Sequence, residues 1–129
     1  MGIDFLIDTN TLIYYFKNEI PDAKARELDS IFLIKCNISI MTKIELLSFK
    51  GSAKENEARA ISFIEDCTLF HLNDEIVAKT IELRKKYRLK IPDAIIAATA
   101  MVHNMTLVSR NDSDFQPIKH LKYTNPFRL

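Results

Sequence analysis

The stretch "LKIPDAIIAATAMVHNMTLVSRNDSDF", residues 89–115, predicts a buried helix followed by a buried strand. Pro92 suits the first position of a helix, and residues 93–103 are apolar on nearly every side, as expected of a central helix. Residues 106–109 are rich in strand-forming side chains, and the turn after them is acidic. Carboxylates at the end of a buried strand lie where an α/β protein usually holds a functional site.

The rest of the chain repeats this alternation of short apolar strands with helices. Strands are predicted at residues 3–7, 37–40, 69–72 and 106–109, with a fifth at the edge, 121–124. Helices are predicted at residues 12–16, 21–34, 42–49, 54–66, 74–86 and 93–103. Strands that alternate with helices favour an α/β fold, with a parallel sheet between two layers of helices. Because no linker or repeat interrupts the pattern, residues 1–129 are predicted to form one domain.

The overall charge provides no attraction for nucleic acid, since 18 basic and 17 acidic residues leave a net charge of +1. Any binding of nucleic acid must therefore be local. No run of 18 apolar residues occurs and the first residues lack the basic segment of a signal peptide, so we expect a cytoplasmic protein. Cys36 and Cys67 belong to no Cys-x-x-Cys pair and are expected to be reduced, buried thiols.

Four acidic residues stand beside predicted strands: Asp8, Glu45, Asp93 and Asp114. Each of them has a purely structural explanation. Asp8 could cap the first helix, and Thr42 with Glu45 has the spacing of a capping box. Asp93 suits the positive end of a helix dipole, and Asp114 could close an Asx-type turn. Taken one at a time, none of the four requires a function.

Taken together, the same four carboxylates indicate a metal site. All strand-to-helix junctions of a parallel sheet lie at its carboxyl edge, where ligands bind. Asp8, Glu45 and Asp114 follow strands, whereas Asp93 joins them only if its end of the helix tilts over that edge. Carboxylates held so close raise one another's pKa unless a cation neutralises them. Hard oxygen ligands with open positions suit Mg²⁺ or Mn²⁺.

The motifs that the chain lacks narrow the chemistry. Gly2 and Gly51 are the only glycines, so there is no glycine-rich loop to hold a nucleotide. The three histidines, His71, His103 and His120, have no metal-ligand or acid–base spacing. An aspartyl-phosphate phosphatase would carry a second Asp where Asn10 stands, and a phosphoacceptor signalling domain would carry one after the third strand. Metal-assisted attack of water on a phosphodiester remains, and it needs carboxylates and little else.

Three segments, "FLIDTNTLIYYF", "ISIMTKIELLSF" and "IPDAIIAATAMVHNMTLVSRNDSDF", resemble the PIN-domain ribonucleases, and among them the VapC-type toxins of bacterial toxin–antitoxin pairs. The resemblance covers essentially the whole chain, in order and with family-like spacing. It implies a three-layer α/β/α sandwich on a mainly parallel five-stranded sheet of order 3-2-1-4-5. It also implies an endoribonuclease that uses Mg²⁺ or Mn²⁺ and associates with a cognate antitoxin and with a second copy of itself.

The resemblance also assigns roles to individual residues. The metal ligands would be Asp8, Glu45, Asp93 and one acid of the last turn. For that acid we favour Asp114 over Asp112, because its spacing from Asn111 lets a turn bring both side chains to one side. The polar neighbours expected at the substrate are Thr9, Asn10, Ser109 and Asn111. The alternative function is a PIN-like domain that has lost catalysis and serves as a binding or scaffold module.

A basic run, residues 84–90, stands just before Asp93. Its simplest explanation is a solvated helix end that is favoured by the helix dipole. The alternative is a rim that follows the phosphates of single-stranded RNA, with Tyr87 as a stacking face.

Overall fold

The described part of the chain forms five strands and seven helices, and the computed structural model describes residues 3–48 and 54–127. The strands are β1 (Phe5–Ile7), β2 (Asn37–Ser39), β3 (Thr68–Phe70), β4 (Thr106–Val108) and β5 (Tyr123–Thr124). The helices are α1 (Thr9–Phe16), α2 (Asp22–Ile34), α3 (Ile40–Ser48), α4 (Lys54–Glu65), α5 (Asp74–Lys86), α6 (Ile91–Val102) and α7 (Asp112–Phe115). Among these described helices, none is long and apolar enough to cross a membrane.

The strands form one parallel sheet in the order β3-β2-β1-β4-β5. This order and the edge position of β5 confirm the fold class predicted from the sequence. The predicted third strand is displaced, because β3 begins at Thr68 and ends at Phe70, before the exposed His71 and Leu72.

Alternate side chains of the strands enter two separate cores, one on each face of the sheet. Leu6 and Leu107 lie opposite each other on β1 and β4 and pack against α5 and α6. Ile7, Ile38 and Val108 point to the other face and pack against α1, α2, α3 and α4. Strands buried on both faces are what a parallel sheet between two helical layers requires. The three-layer α/β/α arrangement is therefore confirmed.

Helix α6 lies deepest in its layer, since every residue from Ala94 to Ala100 is buried. The chain leaves α6 through Asn104, whose positive φ of 54° is a conformation that Asn tolerates well, and enters β4 two residues later. A helix that turns tightly back into a parallel strand runs opposite to that strand. The first turn of α6, which contains Asp93, consequently lies at the carboxyl edge of the sheet.

Helix α3 begins two residues earlier than the sequence predicts. The Ser39 hydroxyl accepts a hydrogen bond from the Met41 backbone N–H (3.1 Å), so the helix starts directly after β2. Thr42 is then a residue inside the helix and not its N-cap. The capping box of Thr42 with Glu45, which the sequence left open as a structural alternative, is therefore not the start of this helix. The predicted end of the helix at residue 49 lies outside the described residues.

Candidate active site

Asp8 directly follows β1 at the carboxyl edge of the sheet. Its backbone N–H donates to the Val108 carbonyl (3.1 Å), which places Asp8 level with Ser109 on the neighbouring strand. Its Oδ1 accepts from the Thr11 backbone N–H (2.9 Å) and caps α1. Its Oδ2 accepts from the Ser109 hydroxyl (2.5 Å). The carboxylate therefore makes the predicted cap and also a contact across the sheet.

The environment of Asp8 disfavours its negative charge. The residue is only 5% exposed, and this burial raises the pKa of its carboxyl group. Hydrogen bonds from Ser109 and Thr11 partly oppose the effect, and the negative charge of Glu45 adds to it. A carboxylate in such a place gains from any cation that can reach it.

Glu45 is held over the same edge by a threonine from α1. The Thr9 hydroxyl lies 2.8 Å from Glu45 Oε1 and 3.2 Å from the Thr42 hydroxyl. Because a hydroxyl has one hydrogen and a carboxylate is the stronger acceptor, Thr9 donates to Glu45 and accepts from Thr42. Glu45 and Thr42 are three residues apart, hence on one face of α3, and that face is turned toward α1.

Asp93 joins these carboxylates from the opposite helical layer. It is half-buried in the first turn of α6. Burial, followed by the negative charges of Asp114 and Glu45, a hydrogen-bonding contact with Asp114 and the charge of Asp8, raises the pKa of Asp93 to about 6. The positive end of the helix dipole favours the charged form, but here it is outweighed. The structure thus brings together the four carboxylates predicted to meet: Asp8, Glu45, Asp93 and Asp114.

The acidic turn after β4 orients Asp114 through Asn111. Asn111 Oδ1 accepts from the Asp114 backbone N–H (3.2 Å), and its Nδ2 donates to Asp114 Oδ2 (2.8 Å). The backbone N–H of Asn111 in turn donates to the Ser109 hydroxyl (3.0 Å), the same hydroxyl that donates to Asp8. Phe115 is 1% exposed and anchors the turn in the core. The turn is thus tied both to the sheet edge and to the core.

Asp112 points away from the other carboxylates. Its Oδ1 accepts from the Tyr123 hydroxyl and from Asn125 Nδ2 (3.2 Å), which lie toward the β5 edge of the sheet. Of the two acids in the turn, Asp114 is therefore the one beside Asp93. This placement agrees with the choice made from the spacing of the sequence.

The remaining sequence-predicted residues lie farther out. Asn10 is exposed at the start of α1. In the basic run, Arg84 Nε donates to the Leu89 carbonyl (3.2 Å) and Lys86 pairs with Glu82 (3.8 Å). Tyr87 is half-buried against the core, and its hydroxyl accepts from a backbone N–H (3.1 Å). These contacts favour the explanation of the run as a solvated helix end.

The donor set suits a hydrated divalent cation better than a dehydrated one. In the residues that the structure describes, no three His, Cys, Asp or Glu side chains converge closely enough to hold an ion between them. The ion pairs found in that same part of the chain involve none of the four carboxylates. Mg²⁺ usually keeps several waters and needs only one or two carboxylates, a requirement that the contacting pair Asp93 and Asp114 fits.

Two side chains at this edge were missed by the sequence analysis. Thr42 was assigned to a cap, and only the packing of α3 against α1 shows its hydroxyl beside Thr9. Arg110 stands between Ser109 and Asn111, and its guanidinium lies over the rings of Tyr14 (5.1 Å) and Phe127 (4.4 Å). Its place between two predicted site residues could have pointed to Arg110. Its contacts with Tyr14 and Phe127 could not be predicted, because these residues are distant in sequence.

Comparison with protein families shows that residues 5–121 match the PIN domain, so the chain belongs to this family. The match includes both predicted segments that carry Asp8 and Asp93. No curated protein sequence matches the chain at a significant level.

Solved structures share the fold over nearly the whole chain. A toxin–antitoxin complex from Klebsiella pneumoniae contains a chain that is 28% identical, with a TM-score of 0.79 over 98% of this chain and 100% of that chain. DNA-bound VapBC from Salmonella typhimurium has one that is 25% identical, with a TM-score of 0.82 over 97% and 99% of the two chains. A chain of VapBC-1 from nontypeable Haemophilus influenzae is 24% identical, with a TM-score of 0.79 over 98% and 100%, and shows likeness of fold.

Proposed function

We propose that this PIN-domain chain is a divalent-metal-dependent endoribonuclease and the toxin of a toxin–antitoxin pair. The observation that carries the proposal is the raised pKa of Asp93, which is about 6 and is caused by burial and by three neighbouring carboxylates. Mutual repulsion of this kind is costly to a fold unless a cation relieves it. Acids whose pKa is strongly raised, at the ligand-binding edge of an α/β sheet, are candidates for catalysis.

In this proposal, two of the four acids hold the metal ion and the other two act beside it. Asp8 and Asp93, whose pKa values are raised chiefly by burial, would hold Mg²⁺ or Mn²⁺, with Glu45 and Asp114 reaching the ion through bound water. A bound divalent cation supplies charge neutralisation, activation of water and stabilisation of the leaving oxygen. The Ser109 hydroxyl holds Asp8 in one orientation by its 2.5 Å hydrogen bond.

Glu45 is the acid best supported to orient the attacking water. Thr9 donates to its Oε1, and no side chain in the described part of the chain donates to its other carboxylate oxygen, which can accept a hydrogen bond from water. Asp114 has a comparable arrangement, because Asn111 Nδ2 donates to its Oδ2 and limits its rotation. Thr9 and Asn111, predicted from the sequence to contact substrate, are in this proposal positioning residues for the acids.

The RNA would approach from the exposed side, past Asn10 and Arg110. In the described part of the chain, no carboxylate lies within ion-pair distance of Arg110, and the guanidinium is exposed over two aromatic rings. An Arg preorganised in this way loses little freedom on binding a phosphate. It supplies a positive charge beside the candidate site, in a chain whose net charge is only +1.

The partners belong to the same proposal. The solved structures that share the fold at 25–28% identity are a toxin–antitoxin complex and DNA-bound VapBC, which supports a cognate antitoxin. We propose that such an antitoxin and a second copy of the chain bind this domain, in the cytoplasm. Light scattering of the isolated protein tests the homodimer, and co-purification with the product of an adjoining small gene tests the antitoxin.

The activity is tested with partner-free protein on single-stranded RNA in Mg²⁺ or Mn²⁺. We expect cleavage that EDTA abolishes and that Asp93→Asn removes while the protein stays folded. Arg110→Ala should weaken RNA binding and leave the thermal response to metal unchanged. Cleavage that persists in EDTA would refute the mechanism. Folded protein that binds RNA and metal without cleaving any RNA would support the non-catalytic binding module instead.

A further inference from the structure

Cys36 and Cys67 face each other at the amino edge of the sheet, away from the carboxylates. β2 and β3 are parallel with Asn37 opposite Thr68, and the Thr68 backbone N–H donates to the Cys36 carbonyl (2.8 Å). The residues one step earlier on each strand are therefore also opposite each other. Both cysteines are free thiols, and both belong to the core formed with α1, α2, α3 and α4, so their side chains point to the same face.

The two thiols lie close enough to interact. The Cys36 thiol is a hydrogen-bond donor to the sulfur of Cys67, and the Cys67 thiol lies 3.3 Å from the Phe63 carbonyl that accepts from it. Neighbouring strands are about 4.8 Å apart, which lies inside the range of about 4.4–6.8 Å that a disulfide spans between Cα atoms. Cys67 lies two residues after the end of α4 and directly before β3.

The two thiols differ in access and in acidity. Cys36 is buried, only 6% exposed, whereas Cys67 is partly exposed, which departs from the expectation of two buried thiols. The hydrogen bond from Cys36 lowers the pKa of the Cys67 thiol and, with burial, raises the pKa of the Cys36 thiol. A small oxidant therefore meets Cys67 first, with Cys36 behind it as the resolving thiol.

We propose that Cys36 and Cys67 are an oxidation site at which a peroxide forms a reversible intramolecular disulfide. The Cys67 thiolate attacks one peroxide oxygen, which forms an S–O bond, breaks the O–O bond and, with a proton, releases one water. The Cys36 sulfur then attacks the sulfenic sulfur, which forms the S–S bond, breaks the S–O bond and releases a second water with the remaining protons. Two thiols are oxidised and one peroxide is reduced, and a dithiol reverses the reaction.

The oxidation site is independent of the proposed nuclease function. The thiols precede β2 and β3, whereas the acids lie beyond the opposite ends of the strands. A failure of either proposal would leave the other standing. The bond would join residues 36 and 67 and so close a loop that contains α3 and α4.

The test is to treat the whole protein with hydrogen peroxide and count its thiols after quenching and denaturation. We expect two thiols before treatment, none after it and two again after dithiothreitol. The oxidised product should run as a non-crosslinked chain on a non-reducing gel, and digestion should yield one peptide pair joined through Cys36 and Cys67. Two remaining thiols, or a product crosslinked between chains, would refute the proposal.

Single substitutions separate the two thiols. In Cys36→Ala, Cys67 should stop at the sulfenic acid, which dimedone traps, while in Cys67→Ala the buried Cys36 should react at least ~10-fold more slowly than the wild-type pair. Equal rates in both variants, or loss of both wild-type thiols as separate sulfinic acids, would contradict a resolving pair. If a variant does not fold, alkylation of the wild-type protein at successive times of oxidation distinguishes the same outcomes, because a resolving pair loses both thiols together.

Discussion

At the scale of single residues, the structure distinguishes two explanations of Glu45, a helix cap and a site residue. The sequence allowed it to be part of a cap or part of a metal site. The early start of α3 removes the cap, and the Thr9 hydroxyl holds Glu45 Oε1 at 2.8 Å. Replacing the carboxylate with an amide keeps this acceptor and the size of the side chain, but removes the charge.

Glu45→Gln should lower RNA cleavage at least ~10-fold, which corresponds to about 1.4 kcal/mol of transition-state stabilisation, with little change in stability. The measurement is kcat/KM on single-stranded RNA together with the thermal midpoint. Thr42→Val is the matched control, because it removes a hydroxyl behind Thr9 and leaves every carboxylate in place. Full activity of Glu45→Gln would leave a site of three carboxylates.

Asp114→Asn should reduce metal-dependent cleavage, whereas Asp112→Asn should leave it near the wild-type level. The reason is that Asp114 adds to the negative charge around Asp93, and Asp112 accepts hydrogen bonds near β5. An Asn at 112 still has an acceptor oxygen, so its effect on the free energy of unfolding should stay within about 1 kcal/mol. Both variants are compared at saturating Mn²⁺. The opposite result would mean that Asp112 is the fourth acid.

At the scale of elements, α6 decides the electrostatics of the site. Its first turn carries Asp93 to the carboxyl edge because the helix runs opposite to β4, into which it leads. The helix dipole favours a carboxylate there, but burial and three acids from α3 and the ends of β1 and β4 outweigh it. Asp93 therefore destabilises the metal-free fold when it is charged.

The free energy of unfolding without metal should depend on pH through Asp93. Its pKa is raised to about 6 in the folded state, above about 3.9 in the unfolded chain, so between these values the folded state binds more protons. Stability from this group is then highest below pH ~4 and falls as the pH rises to ~6. In EDTA, Asp93→Asn should gain thermal stability over wild type at pH 7 but not at pH 4. An equal difference at both pH values would contradict the raised pKa.

At the scale of the whole molecule, the sheet brings together acids from both helical layers. Asp8 and Glu45 come with the α1–α3 side, and Asp93 and Asp114 with α6 and the turn after β4. A cation held among them would bind the folded chain and not the unfolded one. Metal binding should therefore depend on the folding of both helical layers.

Mn²⁺ or Mg²⁺ should raise the thermal midpoint, since a ligand of the native state stabilises it by about 2.7 kcal/mol at 100 times its Kd. The double substitution Asp8→Asn, Asp93→Asn should abolish this response and be at least as stable as wild type without metal, because repulsion is relieved while Asn still caps α1. Differential scanning fluorimetry over a metal titration measures both effects. An unchanged response in the double variant would refute the placement of the cation.

The sequence by itself determined the alternation of strands and helices, the parallel sheet and the acids Asp8, Glu45 and Asp114 that follow three of the strands. These features follow from local periodicity, capping and turn residues, which act within a few positions of the chain. The resemblance to PIN-domain ribonucleases supplied the strand order, and the structure has the same order. The positions of Asp8, Glu45, Asp93 and Asp114 beside predicted strands also predict the four acids of the candidate site.

Tertiary structure decided what depends on partners distant in sequence. Which face of α3 meets Thr9, and hence what Glu45 contacts, depends on packing across 36 positions of the chain. The contact of Cys36 with Cys67 depends on the register of β2 against β3, since a shift of one residue would turn one thiol to the other face. Local sequence preferences carry no information on register between separate elements, because register is set by the burial of whole faces in the folded core.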